Sequence, residues 1–255
     1  MMLTGIFDYH AHYDDPKFDG DRAQVLARVH EGGVEYIINA GADLETSRSS
    51  IRLAEEFPFV YAVVGVHPQD AQDAPEDYLA RLEEMAAHPK VVGIGEIGLD
   101  YHYTREHIEA QHRVFEGQLQ LAARLGLPVV IHDWDAHEDT MKLLRRHRPA
   151  GVMHCYSGSA EMAKELLRLG LYLGFTGSVT YKGARRALES AAAAPLDRIL
   201  TETDAPYQTP EPFRGKRCDS GLLPYTIRTL ADIKGVDPQE MARIAGENAR
   251  RLFGI

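Results

Sequence analysis

The segment VVGIGEIG at residues 91–98 is an apolar, glycine-rich run that is interrupted by one charged residue, and it is the most informative stretch for the fold. Its run of apolar and glycine residues predicts a buried strand. Glu96 stands inside this run, where an unpaired charge would be costly. The sequence therefore predicts a compensating group, either a salt-bridge partner across a barrel or bound cations. We favour cations, because one bridging glutamate can serve two of them.

Seven further apolar runs rich in Val, Ile and Tyr recur along the chain, and nearly every gap between them has helical character. This alternation is typical of a parallel sheet. It predicts an α/β fold, a closed (β/α)₈ TIM barrel, whereas a doubly wound sheet usually has fewer strands or a second domain. No linker or break in composition appears, so we expect one domain over residues 1–255. The eight runs are residues 6–7, 35–38, 60–64, 91–94, 129–131, 151–153, 171–175 and 199–200.

Composition limits the class of protein. Hydrophobic residues make up 44% of the chain and charged residues 26%, as in an ordinary globular protein. Cys155 and Cys218 are too few for a disulfide framework, and neither a basic leader nor a long apolar run is present. We therefore expect a cytoplasmic protein with no membrane segment, and no obligate protein partner is evident. The net charge of −10 requires that any contact with a nucleic acid be local.

Residues suited to metal binding or acid–base chemistry follow nearly all of the predicted strands. In a barrel the C-terminal ends of the strands converge on one face, so these residues are expected to meet in one site. Alone, each histidine would more often be a packed or surface residue. Their common position at strand ends favours a shared function. The residues are His10, His12, Asn39, His67, Glu96, His132, His154, Thr176 and Asp204.

Six of these residues form a candidate ligand set. His10 and His12 end the first predicted strand, and alternation along a strand places them on the same side. Imidazole nitrogens and carboxylate oxygens suit Zn²⁺, Mn²⁺ or, less naturally, Mg²⁺. For Asp8 and Cys155, a packing or orienting role is favoured over metal binding. Asp8 is expected to orient His10 or His132 by hydrogen bonding. The ligand set is His10, His12, Glu96, His132, His154 and Asp204.

Basic and aromatic residues near the later strand ends are candidates for substrate contact. Arg214, Lys216 and Arg217 lie in a proline-punctuated loop after Asp204. Such a cluster is often only a solvated loop, but its place over the metal face favours phosphate binding. Trp134, the one tryptophan, either stacks on a base or covers the mouth of the site.

Six short motifs follow one another along the chain: Asp8-Tyr9-His10-Ala11-His12, Gly65-Val66-His67-Pro68, Gly95-Glu96-Ile97-Gly98-Leu99-Asp100, His154-Cys155-Tyr156-Ser157-Gly158, Glu202-Thr203-Asp204-Ala205-Pro206-Tyr207 and Arg214-Gly215-Lys216-Arg217. Together they resemble the TatD family of metal-dependent deoxyribonucleases, within the amidohydrolase superfamily. The resemblance spans essentially the whole chain. It implies two divalent metal ions per chain and a nucleic acid substrate, for which DNA is favoured. The implied activity is that of a 3′-5′ exonuclease in DNA repair or degradation.

The resemblance also implies roles for single residues. Glu96 would bridge the two metals. His67 would lie near the substrate phosphate without binding metal. For the hydrolytic step we expect Asp204 to accept a proton from the attacking water. One metal would be held by His10, His12 and Asp204, and the other by His132 and His154.

Three positions depart from the family pattern. Asp133-Trp134 replaces a common Ser-Arg pair, Gln69 replaces a second histidine after Pro68, and residues 218–220 replace Asn-Glu-Pro. The candidate ligands are untouched, so these departures concern substrate contacts and not the hydrolytic chemistry. Two alternatives remain open: a small-molecule amidohydrolase or phosphotriesterase on the same barrel, and a metal-binding barrel without activity.

Overall fold

The computed structural model describes residues 2–255 and contains one eight-stranded parallel sheet, in which hydrogen-bonded neighbours follow the chain order. The predicted (β/α)₈ barrel is confirmed, and each predicted apolar run overlaps one strand. The strand at the fourth run includes the whole glycine-rich segment and extends to Asp100. The strands are β1 (Ile6–Ala11), β2 (Val34–Ala40), β3 (Val60–Val64), β4 (Val91–Asp100), β5 (Val129–Trp134), β6 (Gly151–Met153), β7 (Tyr172–Phe175) and β8 (Ile199–Thr201).

Helices connect successive strands and pack on the outside of the sheet. Local signals explain where they begin and end. The second helix begins at a capping box in which Asp43 accepts the N–H of Thr46 at 2.7 Å, and the fourth ends at Gly126 in the left-handed conformation, with φ of 68°. None of the helices between residues 2 and 255 combines the length and apolar composition of a membrane span. The helices are α1 (Arg22–Glu31), α2 (Leu44–Glu56), α3 (Tyr78–Ala86), α4 (Ile108–Leu125), α5 (His137–His147), α6 (Ala160–Arg168), α7 (Arg185–Ala193), α8 (Leu223–Lys234) and α9 (Pro238–Phe253).

Apolar side chains fill the interior of the barrel. Phe7, Val130 and Leu200 belong to one buried cluster with Phe253 of α9. The ring of Phe253 stacks on Tyr9 of β1 with centroids 6.2 Å apart. This packed interior leaves the C-terminal ends of the strands as the place for polar chemistry.

The barrel closes between β1 and the segment that follows β8. The N–H of Asp204 donates to the carbonyl of His10 at 2.9 Å, and the N–H of His12 donates to the carbonyl of Ala205 at 2.7 Å. A parallel bridge also pairs Ala11 with Ala205. The seam that closes the barrel therefore carries three of the six candidate ligands.

Candidate metal centre

The ends of the strands bring the candidate ligands together. The Nε2 atoms of His10 and His12 lie 3.1 Å apart. Oδ1 of Asp204 lies 3.5 Å from Nε2 of His12 and 3.8 Å from Nε2 of His154. Ligand atoms at zinc–ligand distances of about 2.1 Å are roughly 3.0–3.4 Å from one another. The observed separations are therefore close to those of atoms that share one ion.

Glu96 of β4 contacts two groups of imidazoles. Its Oε2 lies 3.3 Å from Nε2 of His10 and 3.6 Å from Nε2 of His12. Its Oε1 lies 2.8 Å from Nδ1 of His132 and 3.5 Å from Nε2 of His67. Burial opposes ionisation, but the surrounding imidazoles, that of His67 foremost, outweigh it and hold the pKa of Glu96 well below its ordinary value. The carboxylate is therefore charged, and its two oxygens face different histidines.

Hydrogen bonds behind two of the rings determine which nitrogen faces the cluster. Nδ1 of His12 lies 3.0 Å from the carbonyl oxygen of Ala40, which can only accept, so Nδ1 carries the proton. Nδ1 of His154 is paired in the same way with the buried carboxylate of Glu202. In the neutral rings both Nε2 atoms then present lone pairs to the cluster. Converging lone pairs and carboxylates form a donor set that fits a divalent cation.

His67 differs from these histidines in its hydrogen bonding. Its Nδ1 accepts the backbone N–H of Gln69 at 3.2 Å, so the proton of the neutral ring is on Nε2. His67, Glu96 and His132 can place ligand atoms within 4.8 Å of one another. A protonated Nε2 is nevertheless a hydrogen-bond donor and has no lone pair for a metal. His67 is therefore better suited to donate a hydrogen bond into the site.

Two residues of the site have backbone conformations that are rare outside glycine. Asp204 has φ of 60° and Cys155 has φ of 45°. The conformation of Asp204 is held by its bond to His10 and by the N–H of Tyr207, which donates to the Asp204 carbonyl at 2.7 Å. Burial opposes ionisation of Asp204, but its hydrogen bond with His12 and nearby imidazoles lower the pKa of the carboxyl. Strained backbone of this kind is concentrated at functional sites.

Two buried carboxylates support candidate ligands and were not assigned from the sequence. Glu202 pairs with His154, and its Oε1 also accepts the N–H of Cys155 at 2.7 Å. Oδ2 of Asp100 lies 3.4 Å from Nε2 of His132 and accepts the amide of Gln69 at 2.9 Å. Both acids stand at the end of a buried strand close to another acid in the sequence, and that spacing is the signal that could have identified them.

The expectation that Asp8 orients a histidine of the site is wrong. Its buried carboxylate accepts hydrogen bonds from the N–H of Thr203 at 2.9 Å, the hydroxyl of Thr203 at 2.6 Å and the hydroxyl of Ser220 at 2.6 Å. The register of β1 is irregular between Asp8 and Ala11, so Asp8 and His10 do not contact the same groups although they are two positions apart. Asp8 therefore ties β1 to the segments after β8.

A cavity of about 560 Å³ opens over the candidate ligands. His67 and Trp134, both predicted to contact substrate, lie in its wall. Among the wall residues in the described part of the chain there is no Lys or Arg. The cavity is consequently acidic, and bound cations would offset its charge. The carboxylates in the wall are Asp14, Asp15, Asp70, Glu96 and Asp204.

The basic loop predicted to bind phosphate lies outside this wall. Arg217 donates to both carboxylate oxygens of Asp21, at 2.8 and 2.6 Å. The guanidinium of Arg214 lies over the ring of Tyr181, 4.2 Å from its centroid. Within residues 2–255, neither these arginines nor Lys216 line the cavity. The structure does not bring these three cations together with the candidate metal ligands.

Fold and site together define a class of protein. An eight-stranded parallel barrel carries four imidazoles and two carboxylates at the C-terminal ends of its strands, with the spacing of metal ligands. These are the features of a barrel hydrolase that depends on metal ions.

Comparison with known proteins identifies the family. A model of the family described as TatD related DNase matches residues 7–254. The uncharacterized metal-dependent hydrolase YabD of Bacillus subtilis (strain 168) is 42% identical over 253 residues, which cover 98% of this chain and 99% of that protein. The 3′-5′ ssDNA/RNA exonuclease TatD of Citrobacter rodentium is 36% identical over 258 residues, which cover 98% of each. The crystal structure of YJJV, a TatD homologue of Escherichia coli K12, matches with a TM-score of 0.94 and 31% identity over 100% of both chains. The chain belongs to the TatD-related DNase family and is a metal-dependent hydrolase.

Proposed function

We propose that the chain is a two-metal phosphodiester hydrolase that removes nucleotides from the 3′ end of DNA, in DNA repair or degradation. The observation that carries the proposal is the position of Glu96. Its two oxygens lie 2.8 Å from Nδ1 of His132 and 3.3 Å from Nε2 of His10, on different sides of the site. A carboxylate shared in this way suits a pair of cations. The relative described as a 3′-5′ ssDNA/RNA exonuclease supports the choice of substrate.

We infer the following assignment of ligands. Glu96 would be shared by two divalent cations, for which Zn²⁺ and Mn²⁺ suit the imidazoles better than Mg²⁺ does. When bound, such cations polarise a phosphoryl oxygen and lower the pKa of water to about 7. His10, His12 and Asp204 would hold one cation, and His132 and His154 would hold the other.

Two residues of the chain then act on the substrate. Asp204 is an ionised carboxylate in the cavity wall, because its pKa is lowered by His12 and the other imidazoles despite burial. It can accept the proton of the attacking water. His67 presents a protonated Nε2 to the same cavity and can donate a hydrogen bond to the charge that develops on phosphate.

A second candidate function is favoured by the charge of the cavity. Its described wall contains five carboxylates and no Lys or Arg, which disfavours a polyanion unless the cations dominate the local field. A small-molecule amidohydrolase or phosphotriesterase would use the same ligands on an uncharged substrate. Hydrolysis of lactones, amides or triesters without any action on oligonucleotides would favour this candidate.

One experiment tests the proposal against this alternative. Single- and double-stranded oligonucleotides labelled at either end are incubated with the protein and with Zn²⁺, Mn²⁺ or Mg²⁺, or with a chelator. We expect metal-dependent shortening from the 3′ end, seen as a ladder with a 5′ label and as early release of the labelled nucleotide with a 3′ label. Internal cuts without a ladder, or no cleavage under any metal, would contradict the exonuclease proposal.

A further inference from the structure

Exposed aromatic side chains are concentrated at the mouth of the cavity. Between residues 2 and 255, the large apolar side chains that are exposed are Met2, Tyr103 at 59%, Trp134 at 38% and Tyr207 at 46%. All of them except Met2 line the cavity. Aromatic surface that is left exposed at one place is a feature of binding sites.

Two of these rings, those of Tyr103 and Trp134, form a unit with the adjacent ring of His102, and we call this unit the aromatic corner. The rings of Tyr103 and Trp134 meet at 74° with centroids 5.3 Å apart. His102 stacks on the indole of Trp134 at 4.8 Å and 20°. The indole centroid lies 6.5 Å from that of His132. A flat group held in the corner would therefore sit beside a candidate metal ligand.

Hydrogen bonds hold the backbone of the aromatic corner at His102 and Tyr103. Oδ1 of the buried Asp100 accepts the N–H groups of His102 at 2.9 Å and Tyr103 at 2.8 Å. The other oxygen of Asp100 lies 3.4 Å from Nε2 of His132. One carboxylate thus sets the position of the corner relative to the metal centre. A preformed surface loses little conformational freedom on binding.

The remaining aromatic ring at the mouth, that of Tyr207, already has contacts within the protein. The hydroxyl of Tyr207 donates to Asp15 at 2.8 Å, and Nζ of Lys17 lies over its ring at 4.2 Å from the centroid. The wall around it is acidic and, in the described residues, contains no Lys or Arg to hold a phosphate. The aromatic corner is therefore the part of the wall best suited to hold a nucleotide, through its base.

We propose that the aromatic corner binds the terminal nucleobase of an unpaired strand and so places the neighbouring phosphate at the metal centre. This rests on the proposed nuclease function and names the part of the substrate that the site selects. Stacking tolerates any base, because every base has a π-face. A base held in a duplex by its partner and its neighbour cannot turn into the corner, so a paired end is a poorer substrate.

Trp134 provides a direct measurement, because it is the only tryptophan in the sequence. Metal-loaded protein is titrated with a single-stranded oligonucleotide whose 3′-terminal linkages are phosphorothioates, which slow hydrolysis. A matched oligonucleotide carries an abasic 3′-terminal residue. We expect the base-ended strand to quench the indole emission and to bind roughly 5- to 150-fold more tightly than the abasic strand.

Two pairs of variants test the rings themselves. Tyr103→Ala and Trp134→Ala should each reduce the preference for the base-ended strand, whereas Tyr103→Phe and Trp134→Phe should retain most of it, since they keep an aromatic face. Binding of the tryptophan-free variants is followed by anisotropy of labelled oligonucleotide. Tyr103 is largely exposed, so its removal should leave the Tm unchanged and separate a loss of stacking from a loss of folding.

Equal affinity for both strands with unchanged indole emission would overturn the inference. Digestion of base-ended and abasic phosphodiester strands at equal rates would overturn it as well, while leaving the nuclease function intact. If neither strand is bound or digested although a minimal phosphodiester or lactone is hydrolysed, the nuclease function and the inference both fail.

Discussion

Nδ1 of His154 donates a hydrogen bond to the buried carboxylate of Glu202, a residue 48 positions further along the chain. A carboxylate behind a metal-binding imidazole fixes its tautomer and makes the opposite nitrogen a better ligand. The same carboxylate accepts the N–H of Cys155 at 2.7 Å, next to His154 in sequence. Glu202 therefore holds both the ring of His154 and the backbone that carries it.

Replacing Glu202 with Gln should weaken metal binding by about 10- to 100-fold, because a neutral amide no longer fixes the tautomer of His154. Metal affinity is measured by competition with a chromophoric chelator, and Tm is measured in parallel. Asp197→Asn, an exposed carboxylate on the connection before β8, serves as the matched control. Unchanged affinity in the Glu202→Gln variant would mean that Glu202 only packs.

Replacing Glu96 with Ala should remove most turnover and one of the two proposed metal ions, because one carboxylate is shared between both positions. Glu96→Gln should already be severe, since a neutral amide cannot offset two cations. Metal content by elemental analysis and kcat on an oligonucleotide check this expectation. A variant that kept the wild-type rate and both ions would show that Glu96 is not the bridge.

Gly98→Ala should destabilise the barrel at the metal centre. Gly98 has φ of 152°, and a Cβ there would lie 1.9 Å from the carbonyl oxygen of His132, its partner across β4 and β5. The clash and the strained backbone should cost about 2–4 kcal/mol, which lowers Tm by roughly 4–16 °C for a chain of this size. Gly183→Ala is the matched control, since a Cβ there meets no atom within 4 Å. Equal Tm values for the two variants would contradict the expectation.

The fold and the meeting of strand-end residues were predictable because both follow from local patterns. Short apolar runs separated by helical stretches define a parallel barrel, and its strand ends then converge whatever the loops do. Glu96 was noticeable because a charge inside an apolar run needs a partner. His10, His12 and Asp204 come together at the seam where β1 meets the segment after β8.

Contacts between distant segments were not predictable from local patterns. Asp8 binds the hydroxyl of Ser220, which lies 212 positions away in sequence. Arg217 stands in a basic loop, but it is paired with Asp21 just before α1. In both cases the path of the connecting loops across the barrel determines the partner. Periodicity in the sequence does not predict that path. The aromatic corner depends in the same way on the loop after β4 meeting the end of β5.

Removing metal should abolish hydrolysis and lower Tm, because ions that bind only the folded chain stabilise it. In the apoprotein, the charged carboxylates of Glu96 and Asp204 also lack the cations that would compensate their charge. Activity and Tm are measured after chelation and again after addition of Mn²⁺, Zn²⁺ or Mg²⁺, and both should recover. Full activity in a demonstrably metal-free sample would end the two-metal proposal.

The triple variant Arg214→Ala, Lys216→Ala, Arg217→Ala separates binding of the nucleic acid backbone from hydrolysis. None of the three residues lines the cavity within residues 2–255, so the metal content should stay normal. If the loop meets phosphates beyond the cavity, KM for an oligonucleotide rises and the salt dependence of binding becomes shallower by about one unit for each lost contact. Arg217 is already paired with Asp21, so Arg214 and Lys216 should account for most of the effect.

A minimal phosphodiester, which has no neighbouring phosphates, should be hydrolysed by this triple variant at nearly the wild-type rate. The control removes the same charge elsewhere, with Arg81→Ala, Arg124→Ala and Arg243→Ala on α3, α4 and α9, all exposed and outside the cavity wall. Both triple variants and the wild type are compared on both substrates at two salt concentrations. Equal losses on both substrates, or a salt dependence no different from that of the control, would show that the loop does not follow a nucleic acid backbone. Either outcome would favour the alternative of a small-molecule hydrolase, because its substrate needs no cations beyond those of the metal centre.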